Sequence, residues 1–516
     1  MQFVSQAWKD AQSMPFIPYE AFVEIVLNVG DPEAQADASA SDNGSIVISD
    51  SSQTVSAVLP SPKRYALLEN NIWLLDGSFE VIPDAEPYGE NGYVGNAISK
   101  DDSSYDMNPK ITISFSKTFA KLIPGMTIEW GSAYENEIAS SFQINVYNGS
   151  ALADSKTVIG NTSLVSVINF DISNYDRIEV TVLKWSRPSR RARIRRILVG
   201  IEKTYGKTEL QNFMHEMTVD PLSASLPKAE VSFDVFNIDG EYNPDNPQGA
   251  EKYLMERQEV SVRYGYQIGD EIEWIPAGTF YMSEWDAPQN GIIARFKARD
   301  LLEFMTDTYS GRMSGTLMEI AQDALEQANL PLSESGTKRW IINSNLSNIS
   351  VPEGLDLSSY KISEVLQLVS HAACMIFYQD RNGYLHIDFL QDGVSDYDIN
   401  RDISYANAEI SLTKQLKAVD LNDGAYILEV GEIGETQKVQ NPLILPSRYE
   451  VVASWISNIL VNRKILNGQY RADPRLDAMD RIAIENRFSE NNVLITSVKY
   501  SYNGAFRGTY EGRSNA

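Results

Sequence analysis

The chain has 516 residues, of which 43% are apolar and 10% aromatic, with 26 tyrosines. That is enough to bury sizeable cores in about three or four domains, which excludes a globally disordered protein. The 70 acidic side chains against 44 basic ones give a formal net charge of -26, which repels a phosphate backbone and excludes general nucleic-acid binding. A single cysteine, Cys374, excludes a disulfide framework within the chain and is expected as a small buried apolar side chain. Lys9, Asp10, Pro15 and Pro18 interrupt any signal-peptide core, and no apolar run reaches the roughly 18 residues a membrane helix needs. A soluble protein made in the cytoplasm, with no membrane-spanning segment, is expected.

In chain order, residues 19–29 alternate apolar and polar as a half-buried strand does, until Gly30-Asp31-Pro32 breaks the pattern. A small-residue acidic tract, Glu33 to Asp42, leads to two short candidate strands, Ile46 to Ile48 and Thr54 to Leu59. From about 60 to 203 the chain reads as short strands between Gly, Asn, Asp and Pro: Lys110 to Phe115, Met126 to Trp130, Ser141 to Tyr147, Leu164 to Phe170, Arg177 to Leu183 and Arg193 to Ile201. That regular spacing predicts a β-sandwich. Strands resume at Ala229 to Phe236, Glu259 to Tyr266, Gly278 to Trp285 and Ile292 to Ala298.

After Asp300 the period changes. Leu317, Ile320, Ala321, Ala324, Leu325 and Ala328 share one helical face, and Ile362, Val365, Leu366, Val369 and Ala373 share another. The second helix runs into a hairpin, Met375 to Gln379 and Tyr384 to Phe389, turning at Asp380-Arg381-Asn382-Gly383. Beyond Ser447, the residues Val451, Val452, Trp455, Ile456, Ile459, Leu460 and Ile465 form a further helical stripe. Gly468 and Pro474 stop it, and Ile482, Ile484, Val493, Ile495 and Val498 alternate as strands.

Candidate chemistry is sparse. Arg187, Arg190, Arg191, Arg193, Arg195 and Arg196 form the densest charge cluster. Arginine forks suit phosphate, teichoic acid or an acidic partner, which makes Arg190, Arg191, Arg193 and Arg195 a candidate anionic-partner patch. The plainer and preferred reading is the charged face of a sandwich strand whose apolar set is Ala192, Ile194 and Leu198. Gly206-Lys207-Thr208 lacks the upstream glycine spacing of a phosphate loop, and Asp234, Asn237, Asp239, Glu241, Asn243 and Asp245 depart from the calcium-loop pattern. His215, His371 and His386 lie far apart, so zinc is not expected. No nucleophile elbow or metalloprotease motif occurs. No enzyme activity, cofactor or metal is expected. Among the aromatics of the sandwich region, Tyr88 and Tyr93 sit in a loop rich in Gly, Pro and Asn and are the candidates for glycan contact, whereas Trp130 reads as core.

Certain phrases carry resemblances. Val235-Phe236-Asn237-Ile238-Asp239-Gly240-Glu241-Tyr242-Asn243-Pro244, Ala277-Gly278-Thr279-Phe280-Tyr281-Met282, the Trp455 helix, Asp473-Pro474-Arg475-Leu476-Asp477 and Tyr500-Ser501-Tyr502-Asn503-Gly504 resemble phage tail baseplate hub proteins, the family related to the central hub of contractile tails. Leu75-Asp76-Gly77-Ser78-Phe79, Tyr93-Val94-Gly95-Asn96, Gly125 to Trp130 and Phe142 to Gly149 resemble a discoidin-like, galactose-binding-like jelly roll.

Together these imply a mainly β, multi-domain protein, α+β overall. Hub β-barrel 1 is split between 1–56 and 206–305, the inserted sandwich occupies 57–205, an α/β module 306–395, and hub β-barrel 2 with the Trp455 helix 396–516. The resemblance further implies a structural hub at the virion tail tip, forming a homotrimeric ring that caps the tail tube. Its implied partners are the tube or distal tail ring, the tape measure protein, and spike or tip proteins. If the chain lines a tube, a negative wall would keep DNA from sticking. The alternative is an adsorption protein that binds host cell-wall glycan through the sandwich. A wall-degrading enzyme is less favoured, since hubs with such activity carry it beyond the hub region and this chain stops at Ala516.

Overall fold

A computed structural model describes the chain except residues 15–19, 48, 56–91, 132–136, 223–225, 247–248, 270, 289–291, 332–336, 392 and 515–516. The protein is mainly β, with several sheets and more than one hydrophobic core. Its largest sheet has 13 strands. One end is Gly200–Tyr205, followed by Ala21–Gly30, Glu259–Ile268, Glu271–Asp286, Ile293–Arg299, Lys228–Phe236 and Leu210–Thr218. Leu210–Thr218 then pairs with Glu490–Tyr502, and the path continues through Phe506–Ser514, Lys464–Arg471 and Glu409–Leu412. Arg481–Glu485 and Val394–Ile399 branch from Glu490–Tyr502. Where two barrels are expected from the sequence, the N-terminal and C-terminal strand sets are hydrogen-bonded into one sheet through the pairing Phe213↔Tyr502 to Thr218↔Ser497. Their apolar faces share one core, in which Ile25, Phe233, Val260, Ile482 and Ile495 are all buried.

The N-terminal residues contribute helix α1, Gln6–Ser13, capped by the Ser5 side chain, which accepts from the Trp8 N–H at 3.2 Å. Trp8 is fully buried and packs edge-on against Tyr266 at 4.9 Å between centroids. The acidic tract after Gly30 is helix α2, Pro32–Asp37, followed by strand Ser39–Asp42. The expected strand at 54–59 is not found in its described part. Thr54 and Val55 end a 3-10 turn, Ser51–Val55, whose Thr54 hydroxyl donates back to Ser51 O, and the remaining residues lie outside the described set.

The sandwich packs a five-stranded sheet on a four-stranded one. The first holds Ser39–Asp42, Lys110–Phe119, Tyr175–Trp185, Ala139–Asn148 and Ala151–Ile159, and the second holds Tyr93–Ile98, Arg191–Leu198, Ile123–Trp130 and Val165–Ile172. Ile111, Ile113, Phe142, Ile144 and Val180 meet Met126, Ile128, Ile194 and Ile197 in a separate core. Both buried indoles are satisfied, Trp130 donating to Ser166 Oγ at 2.8 Å and Trp185 to Glu137 Oε2 at 3.0 Å. The run Arg193 to Ile201, read as one strand, is two: the chain turns at Gly200 (φ +154°) and leaves the sandwich for the large sheet. There Gly30 and Gly200 are antiparallel partners. A Cβ on Gly30 would lie 2.4 Å from Val199 O, and one on Gly200 2.7 Å from the Gly30 Cα, so both positions demand glycine.

A third core joins helices α3, Leu317–Gln327, and α4, Ile362–Ala372, to a small sheet of Trp340–Ile342, Leu385–Asp388 and Ile376–Gln379. α3 begins with a reciprocal cap, Glu319 N–H to Thr316 Oγ1 and Thr316 N–H to Glu319 Oε2. Helix α5, Tyr449–Leu460, which carries Trp455, buries Val452, Ala453 and Ile456 in this third core, together with Val419 and Leu421 of strand Leu416–Leu421. The core of the large sheet does not include it. Cys374, expected as buried, is partly exposed and has φ +60° just past the end of α4.

Candidate functional site: an ionic joint and the groove beside it

The turn chemistry of Asp380-Arg381-Asn382-Gly383 sets the joint. Asp380 Oδ1 accepts from the Asn382 and Tyr384 N–H groups at 3.0 and 2.9 Å, and Gly383 takes the left-handed conformation (φ +76°) that closes the turn. The hairpin thereby projects Arg381 out of the third core and into the large sheet, where it is 3% exposed. Its guanidinium donates to Asp477 Oδ1 at 2.5 Å, Pro474 O at 2.6 Å, Leu476 O at 2.9 Å and Pro276 O at 3.2 Å. Every face of the fork therefore meets an acceptor, the condition for a buried arginine.

The acceptor is the irregular segment 473–480. Asp473 holds Arg475 through Nε at 2.7 Å and Nη2 at 2.6 Å and accepts from Trp8 Nε1 at 3.3 Å. Tyr500 donates to Leu476 O at 2.6 Å. The Met1 ammonium donates to Asp480 Oδ1 at 2.8 Å and lies 3.4 Å from Asp477 Oδ2, while Gln2 donates to Asp477 at 2.9 Å. Burial works against the charge on Asp477, but the Arg381 guanidinium and the Met1 ammonium prevail and hold its carboxyl below the usual range. Asp480, also buried and beside the Asp477 charge, is pushed up. Above this joint His215 is buried, with Nδ1 2.6 Å from the Tyr264 hydroxyl, and burial brings its pKa down to about 3.

The joint ties the N-terminal residues, the third core and the C-terminal strands of the large sheet together. Its charges are matched and hydrogen-bonded, so it acts as a clamp. Among the described residues no cluster of three or more His, Cys, Asp or Glu could hold a metal ion. No described helix is long and apolar enough to cross a membrane.

Beside the joint lies a groove of about 300 Å³. One wall is the face of α1 carrying Gln6, Lys9, Asp10 and Ser13, residues spaced three and four apart. The opposite wall is Tyr397, Asp398, Asn400 and Ile403, and Arg475 also lines the groove.

The residues singled out from sequence do not assemble into a site. Tyr88 lies outside the described residues. Tyr93 is fully buried in the sandwich core, its hydroxyl donating to Gly44 O at 3.2 Å, and offers no face to a sugar. Of the arginines, Arg193 is 1% exposed and donates to Arg191 O at 3.3 Å. Arg190 binds Glu137 at 3.1 Å, Arg191 donates to the Gly95 carbonyl at 3.3 Å, and Arg195 is partly exposed. The cluster is thus largely consumed inside the sandwich, while Arg196 pairs both with Glu129 of the sandwich and with Glu202 of the large sheet. The ionic joint has no local sequence signature, because Arg381 and Asp477 are 96 residues apart and both sit in turn sequence, which ordinarily means solvent.

No protein-family pattern and no curated protein matches the sequence. Among solved structures, a tail protein from Neisseria meningitidis is similar over 61% of this chain and 93% of its own length, at 8% identity and a TM-score of 0.43. A prophage 43 kDa tail protein from Shewanella oneidensis is similar over 60% of this chain and 94% of its own, at 13% identity and a TM-score of 0.41. A prophage tail protein from Listeria monocytogenes is similar over 61% and 91%, at 12% identity and a TM-score of 0.39. At such identities and scores no role passes from these proteins to this chain.

Proposed function

We propose that the chain is a structural hub at the tail tip of a phage or phage-like particle, acting mechanically and without catalysis. Three copies form a ring that caps the tail tube and joins it to the tip or spike. The sandwich, read as a galactose-binding-like jelly roll, is carried by that ring.

The observation that supports this reading is the large sheet itself. Two strand sets from opposite ends of the sequence lie side by side, pair directly through Leu210–Thr218 and Glu490–Tyr502, and are clamped by the Arg381–Asp477 joint. A chain that offers two adjoining β units can present six of them from three copies, which suits a threefold tip meeting a sixfold tube.

Native mass measurement of the purified full chain tests it, alone and mixed with the tube and distal tail proteins of the same particle. The expected result is a trimer, or a trimer that forms on the tail ring. A strict monomer that binds neither partner would overturn the reading.

A further inference from the structure

We propose that strand Glu409–Leu412 of one copy adds to the open end of strand Glu271–Asp286 of the next copy, and that this contact closes the ring. The inference rests on the trimeric reading above and names the two surfaces that would make it.

A repeat of topology inside the large sheet carries it. Leaving aside Gly200–Tyr205, which returns the chain from the sandwich, one unit runs Leu210–Thr218, Lys228–Phe236, Ile293–Arg299, Glu271–Asp286, Glu259–Ile268 and Ala21–Gly30. The other runs Glu409–Leu412, Lys464–Arg471, Phe506–Ser514, Glu490–Tyr502, Arg481–Glu485 and Val394–Ile399. In both, these strands come second, third, sixth, fifth, fourth and first along the chain. The first four ladders are antiparallel in each unit, and the register shift between Met282 and Glu284 recurs between Ile495 and Ser497. The last ladder differs, antiparallel in the first unit and parallel in the second.

Within the chain the two units meet where Leu210–Thr218 lies against Glu490–Tyr502, with Met217↔Val498 and His215↔Tyr500 as partners. Aligned on the shared register shift, Leu412 and Ile410 are the counterparts of Met217 and His215, and Trp285 and Ala287 those of Val498 and Tyr500. The same contact made a second time, from the second unit to the first unit of the next copy, pairs Leu412 with the partner's Trp285 and Ile410 with the partner's Ala287. Such head-to-tail contacts close into a ring.

Both surfaces are open. Among the described residues no strand pairs with the far side of Glu409–Leu412, whose four residues are all exposed, Ile410 to 43% and Leu412 to 63%. A bare apolar strand edge is a template for strand addition. Thr413 N–H donates to Arg463 O at 2.9 Å, so alternation along the ladder turns the backbone groups of Ile410 and Leu412 outward. Val219 N–H donates to Thr496 O at 2.9 Å, and the same alternation bonds their counterparts His215 and Met217 across the internal contact. Glu271–Asp286 outruns Glu259–Ile268, which reaches only to Tyr281, and leaves Trp285 with no described strand on that side.

The test is cysteine cross-linking of the full chain in a Cys374→Gly background, alone and on the tail ring. Thr413→Cys with Glu284→Cys places thiols at the counterparts of Thr218 and Ser497, whose hydroxyls meet at 3.0 Å. This pair should oxidise to a covalent trimer about 10-fold faster than Thr413→Cys with Asp154→Cys on the sandwich. Ile410→Pro removes an outward N–H, and Leu412→Lys puts a charge on an exposed edge position. Each should weaken self-association by about 10-fold or more with the melting temperature near that of wild type. A trimer whose matched cysteines react no faster than the control pair, or which both edge variants leave intact, overturns this contact and leaves the ring standing. A chain that never self-associates, alone or on the tail ring, overturns both.

Discussion

His215 and Asp300 are both buried, and burial moves their pKa values in opposite directions. His215 falls from 6.5 to about 3, because burial and the nearby Arg381 charge oppose protonation while Asp477 favours it only weakly. Below pH 6.5 the unfolded chain takes up a proton that the folded one refuses. The stability tied to neutral His215 is therefore whole above 6.5 and is lost as pH falls toward 3, at up to about 1.4 kcal/mol per pH unit. Asp300 rises from 3.8 to about 7 through burial, against the Ala229 and Leu302 N–H groups at 2.7 and 3.0 Å. Its folded form holds a proton that the unfolded form releases, so its contribution is whole below 3.8 and is lost as pH rises through 7. Between 3.8 and 6.5 the two oppose each other. Urea midpoints across this range separate them. The advantage of wild type over His215→Phe should shrink as pH falls, and that over Asp300→Asn should grow. Difference curves flat with pH would refute both assignments. Cys374 gives a simpler expectation. Its N–H bonds His371 O at 3.1 Å and the next N–H, of Met375, bonds Ser370 O at 2.8 Å, a left-handed helix end normally built on glycine. Cys374→Gly should stabilise the protein by about 1 kcal/mol in thermal denaturation, and Cys374→Val should destabilise it.

At the scale of elements, the turn at Gly200 separates two strands that the residue pattern joins. Because Gly200 has φ +154° and faces Gly30 backbone, Gly200→Ala should cost about 1–3 kcal/mol in urea unfolding. Gly206→Ala, whose added methyl would come no nearer than 3.6 Å to Glu209, should fall within about 0.5 kcal/mol of wild type. If both cost the same, the close approach at the doorway is not what holds Gly200. The same elements show what the sequence can carry. Strand Ala21–Gly30 was readable because alternate side chains enter the core, and α3 and α4 because their buried residues repeat at helical spacing. Ala151–Ile159 was not, since it is an outer strand exposed along almost its whole length and has no apolar alternation to betray it. α1 is mostly polar, and only its single buried face of Trp8, Ala11 and Gln12 marks it. The stripe of α5 announced a buried helix but could not say which core buries it. Neither the joint nor the groove leaves a local signature, because each is assembled from segments far apart in the sequence.

At the scale of the whole molecule, the sandwich enters and leaves the large sheet at one point. Gly30 and Gly200 are register partners on adjacent antiparallel strands, so the chain between them is topologically a very long hairpin loop. The two cores barely mix. Among the described residues, Leu122 is the sandwich side chain packed on the core of the large sheet, and Met255 is the reverse case. Polar ties at the doorway among the described residues include Thr127 Oγ1 to Gly200 O at 3.1 Å, Glu202 N–H to Thr127 Oγ1 at 3.4 Å, Arg196 to Glu202 at 3.0 Å, and Tyr253 Oη and Lys252 to Asp171 at 2.5 and 3.4 Å. Loop entropy grows only slowly with length, so such an insertion costs the host sheet little, and removing it should return little. Replacing residues 31–199 by Asn-Gly, which favours the tight turn of a two-residue hairpin, should therefore leave a soluble protein with one cooperative urea transition. Its Arg381–Asp477 joint should remain, so the midpoint should stay near that of wild type while the slope falls with the surface removed. Self-association and tail-ring binding should persist in this variant if the large sheet is the mechanical part, and should vanish if the sandwich is what engages the partner. An insoluble product, or a broad non-cooperative transition, would mean that the sandwich is a structural member of the sheet it interrupts.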